Sequence, residues 1–237
     1  MMSFKKMSAD EALEKGVITK GKWYEPDEWE YEEPDWRRAL QMAGEYHKKA
    51  GHTYVDKTKE LRSGEERPYV EYIQKLLDIL INEVHMYGDE ILTVAALYGS
   101  LKYTDLTADV IEKEFDADIR YMVSTLKERE GEALSDRIDR CMENERYGII
   151  ISVLLSELLL RERVSDRCPF DSYEKDILYY KELIQVLEKW INGTFSERKM
   201  NIAIVLGEKI LEVIGQNITL SLNCNKTTEE LFGGWED

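Results

Sequence analysis

The 237-residue chain lacks the marks of several functional classes. Its 3 cysteines, Cys141, Cys168 and Cys224, include no CxxC pair, which argues against a structural zinc site or a dithiol redox site. With 4 Pro, 14 Gly and 43% hydrophobic residues, the composition is that of a folded helical protein rather than a disordered one. The N-terminus has no apolar stretch followed by a cleavage site, so we predict a cytoplasmic protein.

Long apolar runs and an excess of basic charge are also missing. The most apolar run, residues 149–160, contains Ser152, Ser156 and Glu157 and is too short and too polar to span a bilayer. The formal net charge of -16 repels phosphate backbones and anionic lipids. We therefore predict no direct binding to nucleic acid or membranes. The acidity is compatible with solubility alone, with a basic protein partner, or with imitation of a nucleic acid.

Helical spacing of apolar residues dominates from Asp35 onward, and no run alternates in the manner of a strand, so the predicted fold class is all-α. Asp35 is predicted to cap the first helix, and Thr107 a later one. The predicted helices cover residues 35–50, 69–86, 89–103, 107–115, 117–129, 132–144, 147–163, 172–190 and 196–214. We divide the chain into an acidic, aromatic N-terminal arm (1–36), a helical domain (37–192) and an extra C-terminal helix with a tail (193–237).

The arm has an unusual composition between Lys22 and Arg38, where the sequence reads KWYEPDEWEYEEPDWRR. One interpretation is a strap whose rings pack on the helical body while its carboxylates stay in water. The other is a partner-binding arm, because aromatic anchors within an acidic field suit a basic protein surface. The candidate partner-binding residues are Trp23, Tyr24, Trp29, Tyr31 and Trp36.

Two stretches, RSGEERPYVEYIQKL and VAALYGSLKYTDLTADVIEKEFDADIRYMVSTL, carry a resemblance to a known family. Together with the helix order over residues 37–190, they resemble the HD-superfamily hydrolase domain of RelA/SpoT enzymes and their small metazoan relatives. That family has AxxxH, then PYxxHP, AALLHDxxEDT and TxxxIxxxFGxxVxxLV. The matching residues here are Ala43 to His47, Pro68-Tyr69, Ala95-Ala96-Leu97, Thr107, Ile111, Phe115 and Val123. The resemblance implies an HD-domain-like helical bundle.

The departures from the family pattern fall on its metal ligands. The resemblance places the first metal histidine at Tyr72 and the adjacent His and Asp at Gly99 and Ser100. It places the later aspartate at Glu157, or at Ser156 if the register slips by one. Glycine has no side chain, serine is a weak neutral ligand, and tyrosine is protonated near neutral pH. We therefore expect a degenerate site with no metal and no cofactor, and a pseudoenzyme rather than a metal-dependent phosphohydrolase.

Three histidines remain as alternative catalytic or ligand groups. His47 and His52 lie five residues apart across a predicted helix end, which is not the i, i+4 spacing that places two imidazoles on one helical face. His85, near the end of the second helix, is interpreted as a surface or capping histidine. The chain has no nucleophile elbow, glycine-rich phosphate loop or HExxH motif.

The resemblance also suggests a ligand pocket. Family members degrade the alarmone (p)ppGpp, and some relatives act on NADPH, holding phosphates with basic residues after the first helix. Lys48, Lys49 and Arg62 occupy comparable places here, and Tyr98 and Tyr103 would make the emptied pocket narrower and more aromatic. Alternatively, these cations are ordinary surface residues and side chains fill the pocket.

Three functions follow as hypotheses. The first is a non-catalytic scaffold or inhibitor that binds a protein through its acidic surface and arm. A special case is a phage-encoded inhibitor that blocks the basic groove of a nucleic-acid-binding enzyme. The second is a sensor or sponge that binds a guanosine or adenine nucleotide without hydrolysing it. The third is a phosphohydrolase with a rebuilt site that uses Glu157 and neighbouring acids.

Overall fold

The computed structural model describes residues 34–56, 65–164 and 173–232, with backbone alone at residues 173–177 and from residue 220 onward. Trp23, Tyr24, Trp29 and Tyr31 of the arm lie outside these ranges, as does Arg62. What is described belongs to one unit that begins at Pro34. It is helical apart from one pair of short strands, which confirms the all-α class. The two boundaries between the predicted domains, at residues 36/37 and 192/193, stay predictions.

The elements follow one another with short connections. They are α1 (Asp35–Lys49), β1 (Thr53–Asp56), β2 (Glu65–Pro68), α2 (Tyr69–Asp78), α3 (Asp89–Ala96), α4 (Ser100–Tyr103), α5 (Ala108–Glu114), α6 (Ala117–Leu126), α7 (Leu134–Met142), α8 (Tyr147–Val164), α9 (Tyr173–Trp190) and α10 (Asn201–Phe232). A wider π-helical turn continues α2 at Ile79–Glu83, whereas the segment Ile191–Phe195 after α9 is kinked at Gly193, whose backbone is not helical. In the part of the chain described, no helix is long and apolar enough to cross a membrane.

Helix α8 forms the centre of the core. Its side chains are buried without interruption from Ile150 to Leu160, as the apolar run in the sequence predicts. Helices α2, α3, α6, α7 and α10 pack around it. A helix that is buried on every side positions its few polar residues inside the core, and Glu157 is one of them.

Several predicted helix bounds are wrong. The predicted 89–103 helix is broken at residues 97–99, so that α3 ends at Ala96 and α4 begins at Ser100. The break is at Gly99, whose φ of +77° is a left-handed conformation that glycine adopts readily. The predicted 69–86 helix is α-helical only to Asp78, and the last helix begins at Asn201 and continues to Phe232.

The strand pair was not predicted, and it replaces part of an expected loop. β1 and β2 are antiparallel, with Thr53 opposite Pro68. Their sequences, TYVD and EERP, are too short and too polar to show strand alternation. The pair joins the end of α1 to the start of α2 and buries Tyr54.

The start of α1 also differs from the prediction. Asp35 is the first helical residue rather than the cap. The cap comes from α3, where Asp89 Oδ2 accepts from the backbone N–H of Asp35 at 3.1 Å and Oδ1 accepts from that of Trp36 at 3.0 Å. The predicted cap at Thr107 is confirmed, because its hydroxyl accepts from the Val110 N–H at 3.4 Å.

Candidate functional site

The positions that the resemblance assigns to metal ligands meet inside the helical body. Tyr72 from α2 and Glu157 from α8 are each 6% exposed, and the Tyr72 hydroxyl donates to Glu157 Oε1 at 3.1 Å. The Tyr72 ring stacks on Tyr69 at 5.2 Å, and Tyr69 reaches across to Gly99. Ser156 is fully buried, and its hydroxyl has no hydrogen-bond partner in the described ranges. The structure therefore brings Tyr72, Glu157 and Gly99 into one neighbourhood.

Tyrosine side chains fill the space beside Gly99. A Cβ added at Gly99 would lie 2.9 Å from the Tyr69 hydroxyl oxygen and 3.2 Å from the Tyr103 ring. The cavity that remains beside Tyr98, Tyr103 and Arg137 measures about 20 Å³. That volume accommodates little more than one water molecule. In this part of the chain the pocket is closed by aromatic packing.

Charge within the site is balanced by protein groups. Burial, together with the nearby Glu157 carboxylate, raises the pKa of Tyr69, Tyr72 and Tyr98 well above the usual value, so these phenols stay protonated. Burial opposes the charge on Arg161, yet Glu157 and other neighbours raise its pKa overall.

Arg137 is the other buried cation of this neighbourhood. It is 5% exposed, and its Nη2 donates to the Leu126 carbonyl at 2.5 Å and to the Tyr98 hydroxyl at 3.4 Å. Burial opposes the charge on Arg137, yet its neighbours, Tyr98 first and then Glu157, raise its pKa overall. Two arginines thus supply positive charge near Glu157, the one carboxylate among the positions that the resemblance assigns to metal ligands.

A divalent metal does not fit these residues. The carboxylate of Glu157 already accepts a hydrogen bond from a phenol that stays protonated, and Gly99 supplies no ligand atom. Across the described ranges, no group of three or more His, Cys, Asp or Glu is arranged to hold a metal ion.

A histidine pair lies beside the site, and the interpretation of the sequence missed it. His47 Nδ1 and His52 Nδ1 are 2.9 Å apart, and His47 is 1% exposed. On its other side, His47 Nε2 lies 3.4 Å from Ser100 Oγ. The chain turns back after α1 through Gly51, with φ +65°, and the His52 N–H donates to the His47 carbonyl at 2.9 Å. A glycine just after a helix is a usual sequence signal for such a turn, and Gly51 is the signal from which the His47–His52 contact could have been predicted.

Both histidines favour the neutral form. Burial, followed by the neighbouring His52, lowers the pKa of His47 to about 4. Burial also lowers the pKa of His52, whose ring stacks on Tyr69 at 4.1 Å. One Nδ1 therefore donates a hydrogen bond to the other, and the pair forms a neutral polar link between the end of α1 and the site.

The residues predicted to hold a ligand do not converge. Lys49 is exposed and pairs with Asp105 at 2.5 Å, while Tyr98 and Tyr103 line the small cavity. Lys48 faces a different, larger depression of about 910 Å³. We name this depression the α1–α2 groove; it is lined along α1 from Trp36 to Lys48 and along α2 from Tyr69 to Gln74. Trp36, the described aromatic of the arm, is half-buried and packs on the core.

Comparisons with known proteins give distant likenesses among solved structures alone. No family model matches the sequence, and no curated protein matches it. Among solved structures, the chain is similar to a metazoan orthologue of SpoT whose description says that it hydrolyses ppGpp and plays a role in starvation responses. The identity is 16% and the TM-score 0.44, over 86% of this chain and 99% of that one. A likeness at this level does not decide fold or activity, so the HD-like interpretation continues to rest on the sequence motifs.

Proposed function

We propose that this chain is a catalytically inactive HD-like protein that acts as a scaffold or inhibitor by binding another protein. The observation that carries the proposal is the buried hydrogen bond from Tyr72 to Glu157. Glu157 is the one carboxylate among the positions that the resemblance assigns to metal ligands. A hydrogen bond to a protonated phenol ties that carboxylate into the packing of the core.

Loss of catalysis follows from the chemistry that the site would need. Hydrolysis of a phosphate ester in this kind of site requires a metal-bound hydroxide, which forms because the cation lowers the pKa of bound water. At one predicted ligand position, Tyr72 is a neutral hydrogen-bond donor. At another, Gly99 has no side chain, and a Cβ added there would lie 2.9 Å from the Tyr69 hydroxyl oxygen. Arg137 and Arg161 lie close enough for the Glu157 carboxylate to favour their charged forms.

A protein partner suits the remaining features. A net charge of -16 attracts a basic surface over long range and speeds its association at low salt. The aromatic residues of the arm, such as Trp23 and Trp29, are of the type that contributes most of the energy at protein interfaces. A nucleic-acid-binding protein presents a surface of the required sign, which is the basis for the inhibitor version of the proposal.

The nucleotide-sensor hypothesis has less support at the predicted position. The cavity beside Tyr98 and Tyr103 measures about 20 Å³, far below the range of about 300–1,000 Å³ typical of small-molecule sites. Lys49, one of the predicted phosphate-binding cations, is paired with Asp105. The rebuilt phosphohydrolase has the further difficulty that Glu157 is buried behind Tyr72.

The absence of catalysis can be tested on the purified full-length chain. The assay measures pyrophosphate release from ppGpp with manganese, with zinc and with a chelator, and the melting temperature under the same conditions. We expect no cation-dependent release above the buffer rate and no stabilisation by cation. Release that manganese stimulates and that Glu157→Ala abolishes would show an active enzyme.

Partner binding needs a separate experiment. Proteins enriched by the full-length chain are compared with those enriched by a Trp23→Ala/Trp29→Ala variant and by a Tyr121→Ala control, which changes an exposed ring on α6. The leading candidate is then purified and titrated calorimetrically at low and high salt. We expect a basic protein whose affinity falls with salt and with the arm variant alone. A partner that binds both variants equally, at any salt, argues against an acidic aromatic interface.

A further inference from the structure

The α1–α2 groove is large enough for a small organic molecule. Its volume of about 910 Å³ lies within the range of about 300–1,000 Å³ that is usual for ligand sites. Its floor is apolar, with Leu40 and Gly44 from α1 and Val70 from α2. Gly44 allows α1 to approach Val70 closely, because a Cβ at this position would lie only 3.2 Å from a Val70 methyl carbon.

The charges around this groove are opposite in sign to those of the protein as a whole. Arg37 and Lys48 line it at its two ends, on the same face of α1 and roughly 16 Å apart along the helix axis. Neither cation forms an ion pair with a residue in the described ranges, whereas Lys49 beside them is paired with Asp105. Glu45 is the one carboxylate among the described residues that line it.

Flat rings border both ends of the groove. At one end the Arg37 guanidinium lies 5.3 Å from the centre of the Trp36 ring. At the other end the His52 ring stacks on Tyr69 at 4.1 Å, next to Lys48 in the lining. Aromatic faces and an arginine in this arrangement favour a planar ring, and Lys48, which has no ion-pair partner among the described residues, favours an anionic group.

We infer that the α1–α2 groove is a binding site for a small aromatic anion, with its ring on the apolar floor and its anionic group at Lys48. The inference goes beyond the proposed function and does not depend on it. The groove lies outside the positions that the resemblance assigns to metal ligands. Within the described ranges, Arg37 and Lys48 have no ion-pair partner, and the inference gives them a role in a strongly acidic chain.

The test uses two fluorescent probes with the same ring system on the full-length chain. Anilinonaphthalene sulfonate carries an anionic group, and N-phenylnaphthylamine lacks it. We expect saturable, one-to-one binding of the sulfonate, weakened about tenfold or more by Lys48→Glu and less by Arg37→Glu, because Arg37 lies at the opposite end of the groove from the anionic group. Lys113→Glu on α5 makes the same change of charge away from the groove and should leave the affinity within about twofold.

A second variant separates charge from shape. Gln74 is exposed and lines the groove, so Gln74→Trp should fill it and reduce binding of both probes while circular dichroism and melting temperature stay unchanged. Competition with phenyl phosphate, benzoate and inorganic phosphate then tells whether a phosphate or a carboxylate is preferred and whether the ring is required. Displacement by inorganic phosphate as effective as that by phenyl phosphate would overturn the aromatic part of the inference.

Three other results would overturn the whole inference. They are the absence of saturable sulfonate binding, equal weakening by Lys113→Glu and Lys48→Glu, and a change of oligomeric state in light scattering when Gln74→Trp is introduced. The last result would identify the groove as a contact between copies of the chain. None of these results bears on the catalytic assay, so failure here and failure of the proposed function are distinguishable.

Discussion

The hydroxyl of Tyr72 donates to Glu157 Oε1 over 3.1 Å and so joins α2 to α8 within the core. Tyr72→Phe keeps the ring but removes the donor, and leaves a buried carboxylate with one partner fewer. We expect a loss of about 1–3 kcal/mol in the free energy of unfolding, measured by urea denaturation.

The control for this prediction is Tyr121→Phe, which makes the same chemical change on a side chain that is 55% exposed. It should change stability by less than about 0.5 kcal/mol. Combining Tyr72→Phe with Glu157→Gln gives a double-mutant cycle, in which we expect the two effects to be non-additive. Equal losses for Tyr72→Phe and Tyr121→Phe, or simple additivity in the cycle, would show that the hydrogen bond contributes nothing.

Gly99→Ala tests the packing of tyrosines at the degenerate metal position. The substitution places a Cβ 2.9 Å from the Tyr69 hydroxyl oxygen in a residue whose φ is +77°. Gly131→Ala is the matched control, because Gly131 has φ +69° and nothing within 4 Å of the added Cβ. We expect Gly131→Ala to cost about 1–2 kcal/mol from backbone strain alone, and Gly99→Ala to cost clearly more in the same denaturation assay.

The additional loss of stability in Gly99→Ala, compared with Gly131→Ala, should depend on the Tyr69 hydroxyl. Adding Tyr69→Phe to Gly99→Ala removes the oxygen that the new methyl group meets, so the double variant should recover part of the lost stability. If Gly99→Ala costs no more than Gly131→Ala, the space beside Gly99 is open and the packing argument is wrong.

Much of the fold follows from local sequence patterns. The apolar run of α8 predicts a helix enclosed on all sides, and Thr107 predicts the start of α5, because both signals are contained in a few neighbouring residues. The strand pair was missed because TYVD and EERP pair with each other through the backbone and show no alternation.

The site was less predictable because its contacts join distant parts of the chain. The sequence places Tyr72 and Glu157 at metal-ligand positions only through the family resemblance, and their hydrogen bond depends on how α2 packs against α8. The spacing of His47 and His52 argued against a pair, because a helical rule was applied across a turn at Gly51. Likewise, Asp35 resembled a cap by composition, while the actual cap, Asp89, is far away in sequence.

Asp89 is therefore expected to contribute to the stability of α1. Asp89→Ala leaves the backbone N–H groups of Asp35 and Trp36 without their acceptor, and we expect a loss of about 1–2 kcal/mol. Asp35→Ala removes an exposed ion pair with Arg38 and should cost less than about 0.5 kcal/mol. Urea denaturation of both variants decides the matter, and an effect of Asp35→Ala equal to that of Asp89→Ala contradicts the assignment of the cap.

The His47–His52 pair should make stability depend on pH in a defined window. The pKa of His47 is about 4 in the folded protein, against 6.5 as the ordinary value, so the unfolded chain binds more protons between these pH values. Its contribution is present in full above pH 6.5 and is lost as the pH falls towards 4, with an upper size of about 3 kcal/mol.

The side chains that contact the pair by hydrogen bonding or ring stacking are Ser100, Tyr69 and Tyr103, and none of these is a carboxylate, so we assign the loss to the imidazoles. Glu83, whose pKa the Arg163 hydrogen bond lowers to about 2, contributes a separate loss below pH 4.5. The measurement is the free energy of unfolding in urea from pH 7.5 to pH 4.5 for the wild type, His47→Gln and His85→Gln. We expect His47→Gln to flatten the slope and the exposed His85→Gln to leave it unchanged; a slope that His47→Gln preserves would place the proton-linked loss elsewhere in the chain.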